Sequence, residues 1–387
     1  MVQLLSTAVA GLAACSVLVT AHPGHDFNAE AAERAAFMKR TPVTKRSLTH
    51  CAENLAARGH TARSIQRREK AVHSLRRRMG LPTCKSPLIS LQDFFTNHYF
   101  FQRPPCSKHV TQYYNPQYLF SSNATCALAD DATEGPYYVS GEYVRTNIAE
   151  DQGGVPLWID IQIINANTCE PEQNIFTDAW HCNATGVYSG VQANGNGDGS
   201  NANLDTTFCR GLQKSDEDGA IQFQTIFPGH YTGRATHIHI LTHNAADTVK
   251  LANGTVSGLY TTHSSHVGQI FFDQDLITEV ELVSPYKENT QQLTLNENDG
   301  ILKEEAADID PFMEYVLLGD SVSDGIFAWI SMAIDPTTDR ELSPAAYWTK
   351  EGGIVNPKSG PGGPGGPPSG SAPSGPAPNS SAVPSGL

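Results

Sequence analysis

The stretch Leu157-Trp-Ile-Asp-Ile-Gln-Ile-Ile164 alternates apolar and polar side chains over most of its length, and this alternation decides the fold class. Successive side chains of a β-strand point to opposite faces, so a period of two is typical of a strand. The same pattern recurs at 220–227, 236–242, 268–272 and 326–332, between residues that favour turns. Short strands bounded in this way predict a mainly β protein with an antiparallel β-sandwich core.

Four other segments flank the predicted sandwich, which we place at residues 126–355. Residues 1–21 contain a short apolar run that ends in small residues, which predicts a cleaved signal peptide and a secreted, extracellular protein. Residues 22–78 are basic and predict two short helices, separated at Thr41-Pro42. Residues 79–125 are irregular and predict a strap over the larger domain. Residues 356–387, almost wholly Pro, Gly, Ser and Ala, predict a disordered tail.

The formal net charge of −14 conceals a division along the chain. Lys and Arg outnumber Asp and Glu in residues 22–110, whereas acidic residues dominate the rest. The aromatic residues of the basic segment are not interleaved with its arginines, so we expect no nucleic-acid partner. Apart from the signal peptide, no segment is apolar enough to suggest a membrane span, and we expect no membrane association.

Basic runs and cysteines both bear on maturation. Lys39-Arg40, Lys45-Arg46 and Arg76-Arg77-Arg78 resemble processing sites, so residues 22–78 are a possible propeptide. Of the eight cysteines, Cys15 leaves with the signal peptide, and the rest suit disulfide bonds in an oxidising compartment. Cleavage after Arg78 also removes Cys51 and leaves an even number. The Asn-X-Ser/Thr triplets at Asn123, Asn183, Asn253 and Asn379 predict a glycoprotein.

The dipeptide repeat His237-Ile238-His239-Ile240 is the sharpest local feature. In a strand, the two histidines point to one side and the two isoleucines to the other, with the imidazole-bearing Cβ atoms about 7 Å apart. A strand offers two imidazoles to one metal ion in this way. The alternative is a pair of solvent-exposed histidines, because exposed polar positions produce the same pattern.

Further motifs surround the histidine strand in a fixed order. They are Thr133-Glu-Gly-Pro-Tyr-Tyr138, Trp180-His-Cys-Asn-Ala-Thr-Gly-Val-Tyr188, Arg210-Gly-Leu-Gln-Lys-Ser-Asp-Glu-Asp-Gly219, Phe223-Gln-Thr-Ile-Phe-Pro-Gly-His-Tyr231 and Arg234-Ala-Thr-His-Ile-His239. In this combination, residues 133–272 resemble the intradiol ring-cleavage dioxygenases. These are non-haem iron(III) enzymes of the catechol and protocatechuate dioxygenase type.

The resemblance implies a ligand set for one ferric ion, Fe(III). Tyr188 and Tyr231 match the two tyrosinate ligands, and His237 and His239 match the two histidine ligands. A free phenol has a pKa near 10, but a trivalent metal favours its deprotonated form. Two anionic tyrosinates therefore balance the charge of Fe(III) and hold it in the ferric state.

Three residues carry catalytic roles by the same resemblance. Tyr231 takes a proton from the substrate, Arg234 lies beside the substrate and stabilises negative charge on its ring, and Gln269 supports the site from behind the ligands. The implied reaction inserts both atoms of O₂ into a catechol-type aromatic diol and cleaves the ring to a muconate-type diacid. The implied protein is an oxidoreductase of aromatic compound catabolism, with a small catechol-type molecule and O₂ as partners.

Two alternatives stand beside this hypothesis. The first is a non-catalytic secreted β-sandwich module that binds aromatic or carbohydrate ligands. The second is a zinc hydrolase built on the two histidines, which the sequence disfavours because it has no HExxH motif. The sequence sets neither the particular aromatic diol nor the oligomeric state.

Overall fold

The computed structural model describes residues 48–81, 120, 125–127, 135–193, 196–197, 199–244, 248–256 and 263–357. The predicted signal peptide, most of the predicted strap and all but two residues of the predicted tail lie outside these residues. The described chain forms fourteen strands and four α-helices, and the helices of its N-terminal part precede the strands. The prediction of a mainly β protein with a helical N-terminal segment is confirmed.

The helices and strands have the following bounds. The helices are α1 Ala52–Ala57, α2 His60–Arg78, α3 Gln274–Glu281 and α4 Gly300–Asp308. The strands are β1 Thr125–Ala127, β2 Val139–Ser140, β3 Pro156–Asn165, β4 Phe176–Trp180, β5 Arg210–Lys214, β6 Ala220–Ile226, β7 His237–His243, β8 His263–Ser264, β9 His266–Phe271, β10 Glu314–Leu317, β11 Ile326–Ile334, β12 Arg340–Glu341, β13 Ala346–Thr349 and β14 Gly352–Val355. The five stretches that alternate in the sequence become β3, β6, β7, β9 and β11.

Two sheets form the sandwich, a first sheet built around β3 and β11 and a second sheet built around β4 and β7. The second sheet has the order β5-β4-β7-β9 and is antiparallel throughout, as predicted. The first sheet contains β1, β3, β6, β10 and β11, and it is mixed because β11 runs parallel to both β3 and β1. Parallel neighbours need a long crossover connection instead of a hairpin. Between β3 and β11, the chain forms all four strands of the second sheet, and it also adds β6 and β10 to the first sheet.

The main core lies between these two sheets. Ile159 and Ile161 of β3 belong to the same buried cluster as Ile238 and Ile240 of β7. All four are at most 1% exposed. Because strand side chains alternate, burial of the isoleucines of β7 places His237 and His239 on the other face of the second sheet.

Helix α2 covers the outer face of the first sheet. Its apolar residues Ile65, Val72 and Leu75 pack in one cluster with Phe327 and Trp329 of β11. The preceding helix ends at Arg58-Gly59, where Gly59 has a positive φ of 66°. The described helices are therefore separated at a glycine, whereas the predicted break at Thr41-Pro42 lies outside the described residues. No helix in the described part of the chain has the length and apolarity needed to cross a membrane.

Buried charges and a disulfide attach this N-terminal segment to the sandwich. Asp160 of β3 is fully buried and pairs with Arg67 at 2.8 Å and Arg68 at 3.1 Å. Cys51 forms a disulfide with Cys169, 118 residues further along the chain. The segment 48–78 is thus a packed layer of the described fold, and its processing stays a prediction.

The cysteine argument from parity is wrong. It counted Cys51 as leaving with a propeptide so that an even number remained for pairing. Instead Cys51 is bonded to Cys169, while Cys182 and Cys209 are free thiols buried in the domain. Burial in apolar surroundings keeps such thiols protonated and inert, and it raises the pKa of Cys182 to about 12.

Candidate metal centre

The histidine strand β7 lies in the middle of the second sheet, between β4 and β9. His237 and His239 are 2% and 1% exposed. The alternative of two solvent-exposed histidines is therefore wrong. Trp180 of β4 lies opposite His239 in the strand register, and the two rings stack with centroids 4.7 Å apart. Segments on the outer face of the sheet thus enclose both imidazoles.

Hydrogen bonding sets the tautomer of the first histidine. Nδ1 of His237 lies 2.6 Å from the carbonyl oxygen of Ala235, to which it can only donate. Its Nε2 is then an acceptor in the neutral ring, and it lies 3.0 Å from Nε2 of His239. Burial, reinforced by the charge of Arg234, lowers the pKa of His237 to about 3. The ring is accordingly neutral and presents a lone pair toward its neighbour.

Tyr188 is held in place through its backbone. Its N–H donates to Oδ1 of Asn196 at 2.6 Å, and its carbonyl accepts from Nδ2 of the same asparagine at 2.8 Å. The turn before it contains Gly186 at a φ of 79°, where a Cβ atom would collide with the carbonyl oxygen of His230. Only glycine permits this close approach of the turn before Tyr188 to the turn before β7.

Tyr231 lies in the turn that leads into the histidine strand. Its Oη is 3.4 Å from Nε2 of His237. Its ring centroid is 5.5 Å from that of Tyr188, and the ring of Tyr188 is 6.3 Å from that of His239. The structure thus brings all four predicted ligands into one buried cluster.

Two atoms of this cluster lack the partners that buried polar groups normally have. The hydroxyl of Tyr188 and Nδ1 of His239 have no hydrogen-bond partner among the described residues. Burial raises the pKa of both phenols and lowers the pKa of both imidazoles. An unpaired buried phenol is costly, and a cation that binds its oxygen as a phenolate removes this cost. The nitrogen of His239 that faces the cluster is Nε2, 3.0 Å from Nε2 of His237. The donor set therefore fits a metal ion.

Arg234 lies beside the cluster in a fixed orientation. Its Nε pairs with Oδ2 of Asp299 at 3.0 Å, and one terminal nitrogen donates to Oε1 of Gln269 at 2.5 Å. Gln269 lies opposite His239 in the β7–β9 register, so it projects on the same side of the sheet. The two polar residues predicted from the sequence thus contact each other directly.

Four residues of the site escaped the sequence analysis. Tyr137 stacks on Tyr188 with centroids 4.4 Å apart, and Trp180 stacks on His239. Both lie in motifs that the sequence had singled out, so their position was a usable signal. Asp299 and Glu305 of the α4 region lie in no recognisable motif. Glu305 is buried, and this burial raises its pKa to about 8.

An open cavity of about 610 Å³ adjoins the cluster. Tyr231 and Arg234 belong to its lining, so a molecule in the cavity reaches the candidate centre. The remaining described lining residues are Pro136, Tyr137, Thr185, Ala193, Gly197, Thr232, Gly233, Glu288, Asn289, Thr290, Gln291 and Ile301.

Residues 133–308 match the family model described as Dioxygenase, which confirms for this segment the intradiol dioxygenase family predicted from the sequence. The matched segment contains all of the predicted ligands as well as Arg234 and Gln269. Family membership supports ring cleavage of catechol-type compounds in general, and intradiol dioxygenases of this family use non-haem iron. No curated protein matches the chain.

Solved structures of dioxygenases are similar to the chain. An intradiol ring-cleavage dioxygenase from Tetranychus urticae is 28% identical, with a TM-score of 0.44, and the match covers 55% of this chain and 96% of that one. The dioxygenase domain of a carbohydrate-binding fusion protein from Streptomyces sp. SirexAA-E is 21% identical, with a TM-score of 0.35. That match covers 54% of this chain and 98% of that one. A hydroxyquinol 1,2-dioxygenase from Pseudomonas putida DLL-E4 is 15% identical, with a TM-score of 0.33. That match covers 54% of this chain and 67% of that one.

Proposed function

We propose that the chain is a secreted iron(III) dioxygenase that cleaves a catechol-type aromatic diol between its hydroxyl-bearing carbons, with O₂ as co-substrate and a muconate-type diacid as product. One observation carries this proposal. Two buried phenols and two buried neutral imidazoles converge beside a cavity, and among the described residues the hydroxyl of Tyr188 has no hydrogen-bond partner.

Tyr188, Tyr231, His237 and His239 would hold the iron. Phenolate oxygens and imidazole nitrogens suit a ferric ion, whereas zinc in proteins is held mainly by Cys, His, Asp and Glu. A zinc hydrolase is thus a poorer fit than an iron dioxygenase. When bound, a ferric ion would shift electron density in the catechol so that a ring carbon becomes reactive toward O₂.

Tyr231 is the group that accepts a proton from the substrate. A catechol must lose its hydroxyl protons in order to bind as an anion, and Tyr231 lines the cavity. Burial raises the pKa of the free phenol, so the base is the phenolate that a bound ferric ion would favour. Tyr231 accordingly accepts one proton from the catechol at Oη.

Arg234 contributes a fixed positive charge to the cavity. Its orientation is set on one side by Asp299 and on the other by Gln269. A preorganised guanidinium costs no rearrangement when negative charge develops on the substrate ring, which is how such groups lower a barrier. Gln269 acts as a positioning residue for this guanidinium.

Secretion belongs to the same proposal. The apolar run in residues 1–21 supports a signal peptide, and the disulfide between Cys51 and Cys169 supports an oxidising compartment. A secreted enzyme would meet its aromatic substrate outside the cell.

Purified secreted protein tests the proposal directly. We expect about one iron per chain, a visible tyrosinate-to-iron absorption band, and O₂ uptake with catechol that yields a diacid product. Iron-loaded protein without colour would contradict the tyrosinate ligands. Protein that binds catechols but consumes no O₂ would favour the non-catalytic binding module.

A further inference from the structure

The cavity is larger than a single aromatic ring needs. Its volume of about 610 Å³ equals the space of about 20 waters at roughly 30 Å³ each. Pockets of this size hold drug-sized ligands. A bare catechol would leave most of the cavity filled with water. The volume therefore fits a catechol that carries a large substituent.

One polar segment of the lining, residues 288–291, is anchored to the turns around the site. Nδ2 of Asn289 donates to the carbonyl of His230 at 2.7 Å. Oε1 of Gln291 accepts from the backbone N–H of Thr232 at 3.3 Å. These bonds hold Glu288 at the same cavity as Tyr231, so the charge of Glu288 acts on whatever part of a substrate extends beyond the ring.

The described lining carries one cation and one anion, but they are not equivalent. The charge of Arg234 is offset by the buried carboxylate of Asp299. Glu288 accepts a hydrogen bond from the hydroxyl of Ser284 at 2.7 Å, and none of the ion pairs among the described residues involves it. Among the described lining residues, Glu288 is thus the one charge without an ionic partner, in a chain whose formal charge is −14. A carboxylate without a counter-charge repels anionic groups near it and attracts cationic ones.

We propose that the substrate is a catechol with a large substituent that is uncharged or cationic, and that Glu288 discriminates against a carboxylate on this substituent. The inference rests on the proposed function and specifies its substrate class. Discrimination by a repulsive charge is an ordinary way to exclude a competitor of similar shape.

Two catechols of nearly equal size provide the test, one with an aminoethyl group and one with a carboxymethyl group. Their dissociation constants are measured without O₂, so that binding is read independently of turnover. We expect the amine to bind about five-fold more tightly at low salt, and the difference to shrink in high salt because the charge of Glu288 is exposed. A catechol glycoside should bind at least as tightly as bare catechol.

Substitutions separate the role of Glu288 from the general charge of the protein. Glu288→Gln should reduce the preference for the amine to about two-fold, and Glu288→Lys should reverse it. Glu297→Gln changes an exposed glutamate outside the cavity lining and should leave the ratio unchanged. The inference would be overturned if the native protein bound the carboxylate more tightly, or if the ratio of the two dissociation constants did not change in Glu288→Lys. Iron content and O₂ uptake with bare catechol, measured on the same samples, report separately on the proposed function.

Discussion

A phenol buried without a hydrogen-bond partner is costly in free energy, and in the part of the chain that the structure describes Tyr188 is such a phenol. Its backbone is fixed by Asn196, and its ring packs between Tyr137 and Tyr231. The hydroxyl therefore cannot turn toward solvent. This constraint is the reason to assign the group to a metal ion instead of to the core.

Replacement of Tyr188 by Phe should remove an iron ligand with little loss of packing. We expect at least a ten-fold loss of iron affinity and a marked change of the visible absorption band, measured by metal analysis and spectroscopy. Tyr286→Phe is the matched control, because Tyr286 is equally buried but its hydroxyl bonds to the backbone of Val155 and Phe227 in the main core. Equal iron content and colour in both variants would contradict the assignment.

The buried pair of Arg234 and Asp299 supports a second prediction. Burial alone would raise the pKa of Asp299, but the charge of Arg234 and hydrogen bonds from the backbone keep it below its usual range. Asp299 also caps α4 by accepting from the N–H groups of Ile301 and Leu302. Asparagine is an equally good cap, so Asp299→Asn removes the charge and keeps the cap.

For Asp299→Asn we expect iron content close to that of the native protein and a fall in kcat of about a hundred-fold, because the guanidinium loses its fixed orientation. Steady-state O₂ uptake measures this fall. Ser321, which caps a short turn elsewhere, provides a control as Ser321→Asn, with unchanged kcat. An unchanged kcat in Asp299→Asn would show that the ion pair does not position Arg234.

Among the elements, helix α2 is attached to the first sheet partly through the buried carboxylate of Asp160. Burial alone would raise the pKa of Asp160, but the hydrogen bonds and charges of Arg67 and Arg68 lower it. A carboxyl group with a lowered folded pKa stabilises the fold above its unfolded pKa of about 3.9, and this contribution is lost as the pH falls through the folded pKa.

Asp160→Asn should therefore destabilise the protein by about 3 kcal/mol at pH 7, since the buried Arg68 and the partly buried Arg67 lose their partner. Below about pH 4 the difference from the native protein should shrink. Chemical denaturation at both pH values measures it, with the exposed Asp151→Asn as control. A difference that does not depend on pH would mean that packing, not charge, holds α2.

The elements also differ in how well the sequence predicted them. Strands β3, β6, β7, β9 and β11 were predicted from their alternation and lie within two residues of the expected ranges. Strand β4 was not predicted, because all of its residues are buried and no alternation marks it. Helices α3 and α4 are short, so their periodicity spans only about two turns.

For the molecule as a whole, the disulfide between Cys51 and Cys169 decides what processing can release. Arg77 and Arg78 are exposed at the end of α2, so a protease can reach the bond after Arg78. The fragment that ends there carries Cys51. Cleavage at this point would therefore produce two chains that stay linked, not a free propeptide.

Intact mass after cleavage by a protease specific for paired basic residues tests this expectation. We expect the fragment that contains residues 48–78 to remain with the domain without reductant and to separate only after reduction and denaturation. Cys51→Ser should abolish the covalent link and destabilise the fold by about 2–5 kcal/mol. Cys209→Ser, at a free thiol, should leave the link intact. Release of the fragment without reductant would contradict the pairing.

The sequence by itself determined the strand-rich fold, the family and the four candidate ligands, because alternation and the order of motifs are properties of the chain alone. The tertiary structure decided that β11 pairs parallel with β3, that α2 is a layer of the fold, and that Asp299 holds Arg234. It also decided the size and charge of the cavity. Each of these depends on residues far apart in sequence, such as Arg68 and Asp160, which no local pattern connects. Only the packing of the two sheets brings such residues into contact.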